Sequence, residues 1–204
     1  MTRLEIATPA GPAWADVDRP AGEPVGAFLV GHGAGGGVDA LDVLAARDGA
    51  LAVGYLVARI TQPYRVAGRR MPPAAPRLDE AWLAVSAALA ERFGPLPAVH
   101  GGRSSGARVA CRTAAASGAV AVVALAFPLH PPGRPERSRL AELDAPTVPV
   151  LVVQGGRDPF GMPPPAAHRR VVVVPGATHA LATDLPAVTA AVRDFLAGRA
   201  APPR

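Results

Sequence analysis

The sequence predicts an α/β fold, a mostly parallel sheet of about seven strands with helices on both faces. Three observations predict it. Short runs at 26–30, 55–60, 96–99, 120–127, 148–154 and 171–174 are apolar almost throughout instead of alternating. Strands of that kind are buried on both sides, and parallel sheets covered by helices bury them so. Segments with helical periodicity separate several of these runs, so strand and helix alternate. Glycines and reactive side chains cluster just after the runs, where open parallel sheets gather their sites. At 204 residues the chain suits one domain, and no internal repeat interrupts it.

Each element has its own signal. Residues 3–8 alternate weakly, as an edge strand does. Residues 9–24, rich in Pro, Gly and Asp, read as loop or hairpin. The run 26–30 is an inner strand ending in GHGAGGG at 31–37, a loop that brings backbone close to something. Residues 39–54 are expected to be helical, with Leu41, Leu44 and Ala45 on one face, and 55–60 to be the next strand. Four prolines and four arginines make 61–77 an irregular loop. Leu78, Trp82, Val85 and Leu89 keep the helical period over 78–93, and Gly94 and Pro95 stop that helix. After 96–99, a helix follows Ser104, then come the strand 120–127 and the proline-rich PLHPPGRPERSR. The strand 148–154 ends in GGRDPFG. Residues 159–170 leave room for a helical turn or two before the strand 171–174. The closing helix, 185–196, turns Leu185, Val188, Val192, Phe195 and Leu196 inward. The core is expected over about 24–197 and a frayed tail over 198–204.

Composition excludes several functions. Half of the chain is apolar but only 4% is aromatic, which implies a core packed from small side chains. All 21 basic residues are arginine and the net charge is +5, yet the arginines are scattered with no block of four. A nucleic-acid surface would gather them on one face with aromatics between, so none is expected. Cys111 is alone, which rules out an internal disulfide and leaves it as a buried small hydrophobe. No uncharged run is long enough to span a membrane, and the first residues lack the apolar stretch of a signal peptide. The expectation is cytoplasmic, with the oligomeric state open. The five histidines show no metal-ligand spacing, so no metal is expected. GAGGG lacks the lysine and hydroxyl of a phosphate loop, so no cofactor is expected either.

The chemistry concentrates after the strand that ends near Val99. Gly102, Ser104 and Gly106 form GxSxG between a strand and a helix. That pattern makes a sharp turn that lifts a serine hydroxyl above a central strand, while the glycines let the neighbouring elements approach. Asp158 and His179 follow two later strands, in the order Ser, Asp, His that an α/β-hydrolase sheet gives. A serine hydroxyl needs a neutral imidazole to take its proton, and the imidazole needs a carboxylate to fix its tautomer. Gly33 or Ala34, after the first inner strand, and Ser105 are the expected backbone donors to a developing oxyanion. Ser105 becomes the nucleophile instead if the turn is shifted by one, and Asp184 is a second carboxylate better placed to cap the last helix. His32, Arg103 and His130 are candidates for lining the pocket, with plain structural roles as the alternative. His100 is expected to pack beneath the turn.

HGAGGG, GGRSSGARVACR, FPLHPPGRPE, QGGRDPFG and GATHAL together resemble the dienelactone-hydrolase-like branch of the α/β-hydrolases. More closely, they resemble bacterial relatives of testis-expressed protein 30 and the hydrolase-like part of a chromatin complex subunit. The resemblance covers about 24–197. It implies Ser104 as nucleophile, Asp158 as acid and His179 as base. Ser105 and Ala107 stand where the family usually has Met and Gly. Thr178 stands where it often has Asp, and 159–170 is short. These last two departures bear on where His179 can reach. The implied activity is hydrolysis of a carboxylic ester or related acyl bond through an acyl-enzyme. A non-catalytic binding or scaffold role on the same fold is the alternative. The connection 128–147 is short and proline-rich, so little or no lid is expected and the substrate is a small or exposed acyl compound. Arg103, Arg134, Arg137 and Arg139 would favour an anionic one, with a solvated face as the alternative role for some of them.

Overall fold

The computed structural model describes residues 1–199. Eight strands form one sheet: β1 (Thr2–Ile6), β2 (Ala13–Asp18), β3 (Gly26–Gly31), β4 (Tyr55–Thr61), β5 (Ala98–Arg103), β6 (Ala121–Leu125), β7 (Val150–Gly155) and β8 (Arg169–Val174). Their order across the sheet is β1-β2-β4-β3-β5-β6-β7-β8. From β4 to β8 every pair is parallel, and β1 and β2 extend the β4 edge as an antiparallel hairpin.

The inner strands are apolar on both sides because both sides are covered. Phe28 and Val30 of β3 and Val123 and Leu125 of β6 face one layer, with α1 (Leu41–Leu51) and the closing helix Leu185–Ala197. Ala27, Leu29, Val122 and Ala124 face the other. That second layer contains the helices Ala75–Phe93 and Ser105–Ser117 and the short helix Leu140–Asp144. In chain order the helices are α1, α2 (Pro63–Val66), α3 (Ala75–Phe93), α4 (Ser105–Ser117), α5 (Leu140–Asp144) and α6 (Leu185–Ala197). Small residues let α4 lie close on the sheet: Gly106, Ala107, Ala110 and Ala114 are all buried. Asp184 caps α6, its Oδ1 accepting from the Ala187 N–H at 3.0 Å.

The architecture is the expected one, and three details of it need correction. The sheet gains an eighth strand because 13–18 is a full strand. Its register puts Asp16 opposite Arg3, and the two side chains pair at 2.6 Å, so a charged residue sits buried in a strand. The segment 61–77 is not all irregular. Pro63 and Pro76 occupy the first turns of α2 and α3, where a missing N–H costs nothing. No helical turn forms in 159–170; the segment runs without helix to a bridge between Ala166 and Arg169. Residues 200–204 of the expected tail lie outside the described residues. Among the described residues no helix is long and apolar enough to cross a membrane.

Candidate active site

Three strand ends converge. β5 sits at the centre of the sheet and ends at Arg103, and α4 begins at Ser105. Ser104 alone makes the reversal, with φ 53° and ψ −110°, a backbone region a side chain seldom enters. Two contacts hold it there. The Ser104 N–H donates to the Leu125 carbonyl at 2.9 Å, and its own carbonyl accepts from Arg108 N–H at 3.2 Å. The crossing is too tight for side chains at the flanking glycines. A Cβ on Gly102 would overlap the backbone of Gly106, and one on Gly106 would lie 2.7 Å from the carbonyl oxygens of Gly31 and His32.

Asp158 follows β7 in a tight turn, its N–H donating to the Gly155 carbonyl at 3.1 Å. Its side chain is fully buried. Oδ1 accepts from the Phe160 N–H at 2.9 Å, and Oδ2 accepts from the Gln154 side-chain amide at 2.9 Å. His179 follows β8. Its Nδ1 lies 2.8 Å from Asp158 Oδ2 and its Nε2 lies 2.9 Å from Ser104 Oγ. A carboxylate only accepts, so Nδ1 carries the proton and Nε2 is free to accept from the serine hydroxyl. Phe160 packs on the imidazole, ring centroids 4.2 Å apart. Neither Thr178 nor the short 159–170 segment keeps His179 from Ser104.

The glycine loop after β3 lies against the same serine. A Cβ built on Gly33 would be 3.5 Å from Ser104 Cβ. His32 is buried; its Nε2 accepts from the Gln62 N–H at 3.1 Å, so Nδ1 carries the proton and donates to the Gly33 carbonyl at 2.8 Å. Burial lowers its pKa and keeps the ring neutral. The Ala34 N–H belongs to the same peptide as that carbonyl and therefore points away from His32. Tyr64 fixes the next peptide by donating its hydroxyl hydrogen to the Ala34 carbonyl at 2.9 Å. Ser105 begins α4, so its N–H has no partner within the helix.

The three pocket candidates fall differently. His32 lies beneath the glycine loop and braces it. Arg103 is turned aside, with Nε on Asp42 at 3.2 Å and Nη2 on the His179 carbonyl at 3.1 Å. His130 packs on Gly161, and its N–H donates to the Phe160 carbonyl, so it supports the turn that carries Asp158. Arg134 and Arg137 are exposed, and Arg139 donates to the Pro128 carbonyl. His100 is fully buried beneath the turn, receiving the Trp82 indole N–H on Nδ1 at 3.0 Å. Sequence reasoning missed Asp42, Gln154, Phe160 and Tyr64. Gln154 and Phe160 stand inside the QGGRDPFG motif, which is the signal that could have found them, whereas Asp42 looks like any first-turn helix residue. A cleft of about 460 Å³ opens beside Tyr64, lined also by Gln62, Arg69, Met71, Arg77 and Leu78. Among the described residues no group of three His, Cys, Asp or Glu side chains is placed to hold a metal ion.

An eight-stranded, mostly parallel sheet with a serine on a strained turn at its central strand end defines the α/β-hydrolase class. Residues 24–183 match the family described as alpha/beta hydrolase domain, and the chain belongs to that family. No curated protein matches it. Several solved structures share the fold. An α/β serine hydrolase homologue from Coxiella burnetii is 19% identical, with 96% of this chain and 97% of that one covered and a TM-score of 0.79. A Xanthomonas campestris α/β serine hydrolase without a lid is 20% identical over 99% and 96%, with a TM-score of 0.79. Est1E from Butyrivibrio proteoclasticus is 19% identical over 98% and 99%, with a TM-score of 0.80. Here too no lid is present: between β6 and β7 the chain forms only loop and the short α5.

Proposed function

We propose that the protein is a cytoplasmic serine hydrolase that cleaves a carboxylic ester or related acyl bond through an acyl-enzyme. The observation that carries this reading is the unbroken chain from Asp158 Oδ2 through His179 to Ser104 Oγ, at 2.8 and 2.9 Å. Ser104 Oγ attacks the acyl carbonyl while His179 Nε2 takes its proton. Asp158 stabilises the imidazolium and holds its orientation. The oxyanion that forms is met by the N–H of Ser105 and an N–H of the 33–34 loop. His179 then gives its proton to the leaving oxygen, the acyl group stays on Ser104, and a water molecule repeats the sequence to release the acid.

The lid-free surface suits a small or exposed substrate. The cleft beside Tyr64 is joined to the site through the glycine loop, by the Tyr64–Ala34 hydrogen bond; Arg69 and Arg77 line it without an ion pair among the described residues, and an anionic substrate group that reached it would meet them. Arg103 is not available to such a group, since Asp42 occupies it. The motif set keeps the dienelactone-hydrolase-like branch as the finer assignment. A fluorophosphonate probe tests the reading. Wild-type protein should be labelled covalently and the Ser104→Ala variant should not. Folded wild-type protein that resists the probe overturns it.

A further inference from the structure

We infer that Arg103 is a positioning residue: its guanidinium, seated on buried Asp42, pins the backbone that carries His179 and braces the glycine loop opposite. The inference rests on the reading of Ser104, His179 and Asp158 as a hydrolytic relay.

Arg103 is the last residue of β5, so its Cα is fixed by the sheet, paired with Leu125. From there one planar group meets three elements. Nε donates to Asp42 Oδ2 of α1 at 3.2 Å, and Nη2 donates to the carbonyl of His179 at 3.1 Å. A Cβ on Gly33 would stand 2.8 Å from Nη1 and 3.3 Å from Cδ, so the side chain lies flat against the glycine loop. Asp42 is 1% exposed, far from the usual setting of a carboxylate, and Arg103 is its ion-pair partner. A buried carboxylate facing a guanidinium fixes a direction, because the guanidinium fork is rigid.

The loop holding His179 needs such a tie. Its other backbone bonds run to β8, to the turn after β7 or within the loop itself: Ala177 N–H to Val174, Arg157 N–H to Ala177, and Leu181 N–H to Thr178. None of these three bonds reaches β5. Beside the His179–Ser104 contact itself, Arg103 ties the backbone of this loop to β5, through the His179 carbonyl at 3.1 Å. Asp42 has a second effect. An unpaired cation beside His179 would oppose the imidazolium formed during catalysis, and the Asp42 carboxylate offsets that charge.

Four full-length variants test this: Arg103→Met, Arg103→Lys, Asp42→Asn, and Arg103→Met with Asp42→Asn. Three quantities are measured: turnover of p-nitrophenyl acetate, circular-dichroism melting, and the downfield proton NMR signal of the His179 Nδ1–H held by Asp158. A small displacement of a catalytic group costs about a hundredfold in rate. Arg103→Met is therefore expected to lower kcat about a hundredfold with KM within threefold, and to broaden the imidazole signal. The double variant should be no slower than Arg103→Met, since Asp42 acts on the His179 loop only through Arg103. If Arg103→Met does not fold, Arg103→Lys decides, because one ammonium cannot reach Asp42 and the His179 carbonyl as the fork does; kcat should fall at least tenfold. The inference is overturned by folded variants with kcat within threefold of wild type, by additive effects, or by a rise in KM at constant kcat, which would make Arg103 a substrate contact. Wild-type protein that shows the imidazole signal but neither turnover nor probe labelling defeats the hydrolase reading instead. The positioning inference then stands or falls on whether Arg103→Met broadens that signal.

Discussion

His100 predicts a specific loss of stability in mild acid. The ring is fully buried between α3 and α4, with Nδ1 accepting from Trp82 Nε1 at 3.0 Å and Nε2 3.2 Å from Ser86 Oγ. An indole only donates, so Nδ1 bears no proton and Nε2 donates to the Ser86 hydroxyl. Protonating Nδ1 would set it against the Trp82 N–H, with only the Ser117 hydroxyl, 3.3 Å away, to receive the proton. Burial accordingly pushes the pKa from 6.5 down to about 4. The unfolded chain takes the proton first as pH falls, so the stabilising contribution is complete above about 6.5 and is lost progressively down to about 4. Below that the folded state also binds the proton and the loss levels off. The gap between the two values, at about 1.4 kcal/mol per pH unit, amounts to about 3 kcal/mol. Urea unfolding followed by tryptophan fluorescence from about pH 7.5 to about pH 4 measures it, with His100→Gln as control. The glutamine oxygen can accept from Trp82 and does not titrate. The stability of wild type relative to the variant should fall by about 3 kcal/mol across the window. A difference that stays flat within about 0.5 kcal/mol would refute the tautomer and the burial argument together.

Two further outcomes follow from packing. Gly106→Ala places a methyl 2.7 Å from two backbone carbonyl oxygens that no rotamer change can move. Overpacking of this kind costs about 2 kcal/mol or more, a fall in Tm of about 4 °C or more; an unchanged melt would mean the turn is looser than it looks. Cys111 is fully buried in α4, and burial, with Glu142 nearby, pushes its thiol up to about 12. Native protein should therefore resist a maleimide at about pH 7.5 and react only in denaturant, and rapid native labelling would show that α4 opens.

Much of this arrangement was legible because it is local. The inner strands are marked by being apolar on both sides, as at 26–30 and 120–127. GxSxG needs only its own neighbours to make the turn at Ser104. Ser104, Asp158 and His179 each follow an apolar run, which is enough to place them at the same end of one sheet, after β5, β7 and β8. What stayed hidden depends on partners distant in sequence. β2, AWADVD, carries two acids among its six residues, so the segment around it reads as loop as readily as hairpin. Its buried acid, Asp16, is acceptable in a strand only because Arg3 lies opposite in the register. Pro63 and Pro76 misled in the same way, since a proline reads as a breaker until its place in the first turn is known.

The role of Arg103 shows where such reading stops. Its neighbours in sequence, Gly102 and Ser104, say that it stands beside a nucleophile, and a cation there suggests an anionic substrate. The structure gives the charge a different partner, because α1 brings Asp42 to it from 61 positions away. One buried carboxylate turns a substrate-facing cation into a brace for the loop behind it. Strand order places the reacting groups, but pairs such as this hold them at reacting distance. The side chains around Ser104 should therefore be judged by what they already hold before any is assigned to a substrate.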